Sequence, residues 1–277
     1  MRLAVPALLS VLLASPPALA APAKHVLVVC SPGSPGTTAE AQPAMDAFAA
    51  AVSSRAGLPL AAVYEPSEEA GVSRLRGKDA DAAMVSLPFF LKHERDLGLR
   101  PRLQAVQKGR PALERWALVL KKGRAASPAS LAGFTVLSSA GFAPGFVRGP
   151  ALGGWGPLPA SVRVVQSGAV LSALRRAAAG EPVAVLLDGA QEAALASLPF
   201  AADLEVAARS APLPAGVLAV VGARLPSRSA AAVESAVRGL PSDPAGQEAL
   251  AGMQMTGFEP LDEKALAGAR KAYAGAR

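Results

Sequence analysis

Apolar and polar positions alternate along this chain in two rhythms. A continuous apolar run at His25–Cys30 has strand length and β-branched content. Residues 39–55 then carry apolar side chains at helical spacing (Met45, Phe48, Ala49, Val52) and stop at Gly57. Residues 60–64 predict a second strand. Residues 67–76 predict a helix that opens on Ser-Glu-Glu, where a hydroxyl and carboxylates suit the free amides of a first turn. Residues 81–85 predict a third strand, and Ser86-Leu87-Pro88 turns the chain into a helix reaching Arg95.

The rhythm then repeats. Strands are predicted at 134–137, 162–165, Val183–Leu187 and 204–207, with a short helix after the serines that follow the first of them. Longer helices are predicted over 167–179 and 188–197. The punctuation matches as well: Arg76-Gly77-Lys78-Asp79 precedes one third strand and Ala179-Gly180-Glu181-Pro182 the other. Parallel strands joined by helical crossovers give open α/β sheets, so the expectation is two such units. Strands at 116–121 and 217–221 flank the second unit and are expected to lie side by side as a hinge between two lobes. Residues 21–118 plus 211–277 would form one lobe and residues 119–210 an inserted one. Helices at 227–238, 243–253 and 262–273 would return to the first lobe.

Residues 1–20 do not belong to this scheme. Arg2 precedes an apolar run over 3–13, broken by Pro6 and Ser10; Ser15, Pro16 and Pro17 follow, and Ala18-Leu19-Ala20 closes the segment. That is the layout of a cleaved secretory signal peptide, too short and too proline-rich for a membrane anchor. It predicts a periplasmic or secreted protein cut near Ala20. Cys30, the single cysteine among 277 residues, lies beyond the position a lipid anchor would need. Alone it forms no internal disulfide, and its neighbours predict a buried strand position.

The formal net charge of +7 falls by one when Arg2 leaves with the leader. Lys and Arg are scattered, with no run longer than Lys121-Lys122 or Arg175-Arg176, and aromatics make up 4% of the chain. No base-stacking surface accompanies the charge, so no nucleic-acid partner is expected. A mild attraction for anionic solutes remains.

In open α/β sheets, ligands sit beyond the carboxyl ends of the strands. That rule selects residues 31–38, 86–88, 138–142, 166–168 and 188–189, four of which carry hydroxyls. Free amides at a helix start and Ser or Thr O–H groups hold an oxyanion without a full counter-charge. The candidate ligand-binding residues are therefore Ser138, Ser139, Thr37, Thr38, Ser86, Ser167 and Asp188. Each is also an ordinary helix cap by residue type. Arg115 and Arg148 are candidate cations for an acidic ligand. Met253, Met255 and Cys30 are soft donors for copper(I), or core filler. His25 and His93 are the only histidines, and neither a nucleophile elbow nor an HExxH helix is present. No catalytic residue, cofactor or metal is assigned, and the chain is not expected to be an enzyme.

Six stretches resemble, in order, a known family: GKDADAAMVSLPFFL, ERWALVLKKG, SPASLAGFTVLSS, VVQSGAVLSALRRAAAG, RSAPLPAGVLAVVGARLP and DPAGQEALAGMQMTGFEPLD. Together they look like a type 2 periplasmic solute-binding protein, within the phosphate, phosphite and phosphonate-binding receptors of ABC transporters. The resemblance implies two α/β lobes on a two-strand hinge, a small anionic ligand held in the cleft, an ABC transporter permease as partner, and a monomer. Ser138-Ser139-Ala140-Gly141-Phe142 stands where many members have a serine-glycine-rich turn for the ligand oxyanion. Two other readings fit the same fold: a lyase-type enzyme using Asp188 or Glu192 as base, and a sensory or scaffolding protein without a transport role.

Overall fold

The computed structural model describes residues 24–34 and 36–276; the expected signal peptide lies outside them. The first run of elements is β1 (His25–Cys30), α1 (Thr38–Ala56), β2 (Leu60–Glu65), α2 (Glu68–Arg76), β3 (Ala82–Ser86), α3 (Leu87–His93) and β4 (Leu99–Gln107). The chain crosses through β5 (Leu113–Glu114) to β6 (Ala117–Lys121), β7 (Thr135–Ser138) and α4 (Pro144–Phe146), which a π-helical turn at Val147–Ala151 continues. There follow β8 (Arg163–Gln166), α5 (Val170–Ala178), β9 (Val183–Leu187), α6 (Gly189–Leu195) and β10 (Leu204–Arg209). The return passes β11 (Leu213–Pro214) to β12 (Gly216–Val221), α7 (Ser227–Gly239), α8 (Pro244–Gly252), β13 (Met255–Pro260) and α9 (Glu263–Gly275).

Local chemistry sets the boundaries. Thr37 caps α1 with a reciprocal box: its hydroxyl accepts from the Glu40 amide and the Glu40 carboxylate accepts from the Thr37 amide. Gly57 closes the helix at φ 65°, a left-handed conformation that costs glycine little. Met45, Phe48, Ala49 and Val52 form the buried face of α1, as their spacing requires. Cys30 is fully buried and donates to the Ser67 carbonyl at 3.4 Å, and burial pushes its thiol up to about 12. It is an inert core group.

The strands form two large sheets, ordered β13-β4-β12-β3-β1-β2 and β10-β6-β9-β7-β8. In each, the first strand of a unit sits between the second and third in parallel register, Leu27 opposite Ala82 and Thr135 opposite Val183. The repeat read from punctuation is thus a repeat of strand order. Outside each third strand lies an antiparallel neighbour, β12 in the first sheet and β6 in the second. Those two were expected to pair with each other. They occupy equivalent places in different sheets, because each completes the core of its own unit.

The crossing falls earlier in the chain. β5 pairs antiparallel with β11, Leu213 opposite Glu114 and Pro214 opposite Leu113. Ser210 locks the next residues together: its Oγ accepts from the Trp116 amide at 2.9 Å and its own amide donates to the Trp116 carbonyl at 2.8 Å. The fold is two open α/β lobes joined by this two-strand hinge.

The C-terminal helices divide. α7 and α8 pack on α1, as expected, whereas α9 lies against the π-helical turn at Val147–Ala151 in the inserted segment. Its other side is tied back to the first lobe. The Arg270 guanidinium pairs with the Glu94 carboxylate, and the Asp262 amide donates to the Gln104 side chain at 3.0 Å. Phe89 and Phe90 of α3, Phe146 and Val147, and Leu266, Ala269 and Tyr273 of α9 belong to one continuous buried cluster. The lobes therefore share apolar core beside the hinge.

Candidate functional site

Where the two sheets face each other, a cavity of about 270 Å³ opens beyond the carboxyl ends of β1, β3, β7 and β9. One wall is the loop after β1 (Ser31, Gly33, Ser34) with Ser86 and Pro88; the other is Ser139, Ala140 and Phe142 with Asp188 and Gln191. Gln107, Glu114 and Trp116 form its floor on the hinge side. The walls approach closely. A side chain at Gly33, where φ is 87°, would stand 2.8 Å from the Ser139 carbonyl oxygen, so both the conformation and the gap call for glycine. Across the cleft, Lys92 Nζ donates to the Phe142 carbonyl at 2.7 Å and also pairs with Glu68.

Three side-chain atoms lining this cavity are buried without a hydrogen-bond partner: Ser86 Oγ, Gln107 Oε1 and Trp116 Nε1. Buried polar atoms are normally paired, and leaving one unpaired costs about 1–3 kcal/mol. Ser86 precedes α3 but makes no side-chain cap bond, which leaves its hydroxyl to the cavity. Trp116 is held from behind, its ring edge-on to Phe146 with centroids 5.1 Å apart. Its indole N–H is a donor only.

Glu114 is the one strongly perturbed carboxyl of the site. Burial raises it to about 7, the neighbouring Asp188 carboxylate adds to the rise, and Arg110 and the Gly189 amide oppose it. Its Oε2 accepts from Arg110 Nη1 at 3.3 Å and from the Gly189 amide at 3.2 Å. Arg110 Nη1 also lies 3.9 Å from Asp188. The cavity thus carries hydroxyl and indole donors in one region and two carboxyls in another, the latter flanked by the Arg110 guanidinium. A ligand that fits both presents acceptors to the first and a proton to the second.

The seven candidates from sequence divide sharply. Ser86, Ser139 and Asp188 line the cavity. Asp188 is also the cap of α6, accepting from the amides of Ala190 and Gln191 at 2.9 Å each. Ser138 does not reach the cavity: it is 1% exposed, its hydroxyl donates to the Leu186 carbonyl at 2.8 Å and accepts from the Ala140 amide at 3.2 Å. At this last residue of β7 the hydroxyl is spent inside the fold, whereas Ser139 opens the 3-10 turn that follows and lines the cavity. Thr37 is spent on the α1 capping box, and Thr38 begins that helix away from the cavity. Ser167 caps a turn through the Ala169 amide at 3.2 Å, ahead of an α5 that starts three residues later than expected.

The candidate cations are structural. Arg148 donates to the carbonyls of Leu158, Pro159 and Val162, and Arg115 to that of Ser210. Cys30 and Met255 belong to separate core clusters, so the soft-donor set is not assembled. Sequence reading passed over Glu114, Trp116 and Gln107. A carboxylate between Leu113 and Trp116, ahead of an apolar strand, was the available signal for the first two.

No protein-family model matches this sequence, and no curated protein is similar enough to match it. Solved structures share its fold. XAC2383 from Xanthomonas citri, solved with chloride, superposes with a TM-score of 0.71 at 18% identity, over 91% of this chain and 97% of that one. The binding-protein component of an ABC phosphonate transporter from Pseudomonas aeruginosa gives 0.64 at 15% identity, over 91% and 86%. PhnD1 from Prochlorococcus marinus, in complex with methylphosphonate, gives 0.62 at 12% identity, over 90% and 97%. The architecture is the two-lobed one of type 2 periplasmic binding proteins.

Proposed function

We propose that this chain is an exported solute-binding protein that captures a small oxyanion in the cleft for an ABC transporter permease. The observation carrying the reading is the convergence of two buried, unpartnered donors, Ser86 Oγ and Trp116 Nε1, on one cavity between two lobes, with Gln107 Oε1 beside them free to accept a ligand proton. The neighbours solved as a phosphonate-transporter component and with methylphosphonate support the ligand class. Hydroxyl and indole donors, with the Ser139 hydroxyl, hold the anionic oxygens. Glu114 and Asp188 favour a ligand that keeps one proton, since two carboxylates repel a full dianion. Closure of the lobes completes the contacts, so binding would favour the closed form.

A thermal-shift screen over phosphate, phosphite, phosphonates, sulfonates and carboxylates identifies the acid, and calorimetry on variants then tests the site. Hydrogen bonds to a charged group contribute about 1.5–3 kcal/mol, roughly tenfold or more in affinity. Ser86→Ala is expected to lose that affinity with nearly unchanged apo melting, and Trp116→Phe to lose it with an earlier melt, because a buried ring is made smaller. Ser138→Ala is expected to do the reverse, melting earlier while binding normally. A screen without a hit, or Ser86→Ala binding as tightly as the parent, would overturn the reading. In cells, the mature chain is expected to begin at Ala21, give or take two residues, and its deletion to abolish uptake of the identified acid. Intact Met1 or undiminished uptake would sink the export and transport parts.

A further inference from the structure

The polar cavity is not closed on its first-lobe side. A second cavity of about 510 Å³ adjoins it and shares Ser31, Ser34, Ser86, Gln107 and Ala215 as lining residues. Its character is different. Four of the chain's five methionines, Met45, Met84, Met253 and Met255, line it. Alanines from α1 and β4, together with Val29 and Val85, supply much of the remaining wall. Methionine side chains are flexible and polarizable, and they adapt to unbranched apolar guests. Glu40, Arg110 and Gln254 also line the annex, and the Tyr64 hydroxyl is buried there with no partner, on a residue only 7% exposed.

We infer that cavity and annex together take one elongated amphipathic acid. Its acidic head meets the Ser86 hydroxyl and the Trp116 indole N–H, an unbranched apolar chain runs along the methionines, and a distal polar atom meets the Tyr64 hydroxyl. This rests on the reading of the cleft as an oxyanion site and adds the substrate class. An oxyanion as small as phosphate would leave the annex and the Tyr64 hydroxyl unused. Apolar burial makes the chain length measurable, because each buried methylene changes affinity about fourfold.

The test is calorimetry of the mature chain with two homologous series, methyl- to octylphosphonate and acetate to octanoate. In at least one series, affinity is expected to rise about fourfold per methylene and then level off once the annex is full. Ala41→Phe, which projects a ring into the annex from α1, is expected to flatten that rise while leaving the shortest acid unaffected. If the shortest acids bind and affinity does not grow with length, the annex proposal falls and the oxyanion site stands. If no acid of either series binds, both fall. A rise that persists unchanged in folded Ala41→Phe also overturns the annex proposal. Should that variant fail to fold, the length dependence of the parent decides alone.

Discussion

Glu114→Gln is expected to unfold at higher denaturant concentration than the parent at pH 8, and to lose that advantage by pH 5. The folded protein holds the Glu114 proton more tightly than the unfolded chain, whose carboxyl titrates near 4.5 against about 7 in the fold. Between those values folding takes up a proton, so stability present at low pH is lost as the pH rises toward 7. The interval is worth ~3 kcal/mol at most. Glutamine keeps an acceptor for the Gly189 amide and carries no charge to bury, so the variant escapes the loss. Urea titrations at four or five pH values would show the gap widening with pH. A gap that is constant, or that widens toward acid, would contradict the burial of this carboxyl. The same group ties binding to pH: an oxyanion entering beside Glu114 should bind more weakly above pH 7 in the parent, and Gln should blunt that dependence.

Gly149→Ala is expected to destabilise the protein by ~1–3 kcal/mol or more, the cost of overpacking a filled interface. The added carbon would stand 2.3 Å from the Ala272 carbonyl oxygen and 2.8 Å from its carbon. Those are backbone atoms of α9, which can yield only by moving the helix. Gly154→Ala provides the control: it lies on the following turn and nothing stands within 4 Å of its added carbon. Denaturation midpoints of both variants, with proteolysis of the C-terminal helix as a second readout, would settle the contact. Equal stability for the two would mean that α9 does not seat on the π-helical turn.

What could be read beforehand follows from where burial comes from. β1, β3 and β9 announce themselves because a strand covered on both faces is apolar throughout. The buried face of α1 is visible in its own spacing. β4 was not read as a strand: Arg100, Pro101 and Arg102 interrupt it, and its pairing with β12 and β13 joins residues more than a hundred apart. Missing β4 meant missing Gln107 at its end. Glu114 and Trp116 were hidden for a related reason. Residues 210–214, about a hundred positions away, pair with them, so a carboxylate ahead of an apolar strand is the one local mark they leave. Ser86 was found because the strand-end rule is topological and needs no local signal. Ser138 and Ser139 were both candidates, because sequence places both serines at the sheet's edge; the exact strand end decides which one turns inward.

The strand order also sets a schedule for the growing chain. Every hydrogen-bonded neighbour within the five-stranded sheet lies between residues 117 and 209, whereas the six-stranded sheet draws on residues 25–107 and then waits for 216–221 and 255–260. A nascent chain ending at residue 215 would hold a full set of pairing partners for the second sheet and an unfilled gap between β3 and β4 in the first. The lobe that begins synthesis is therefore the one whose architecture is completed last.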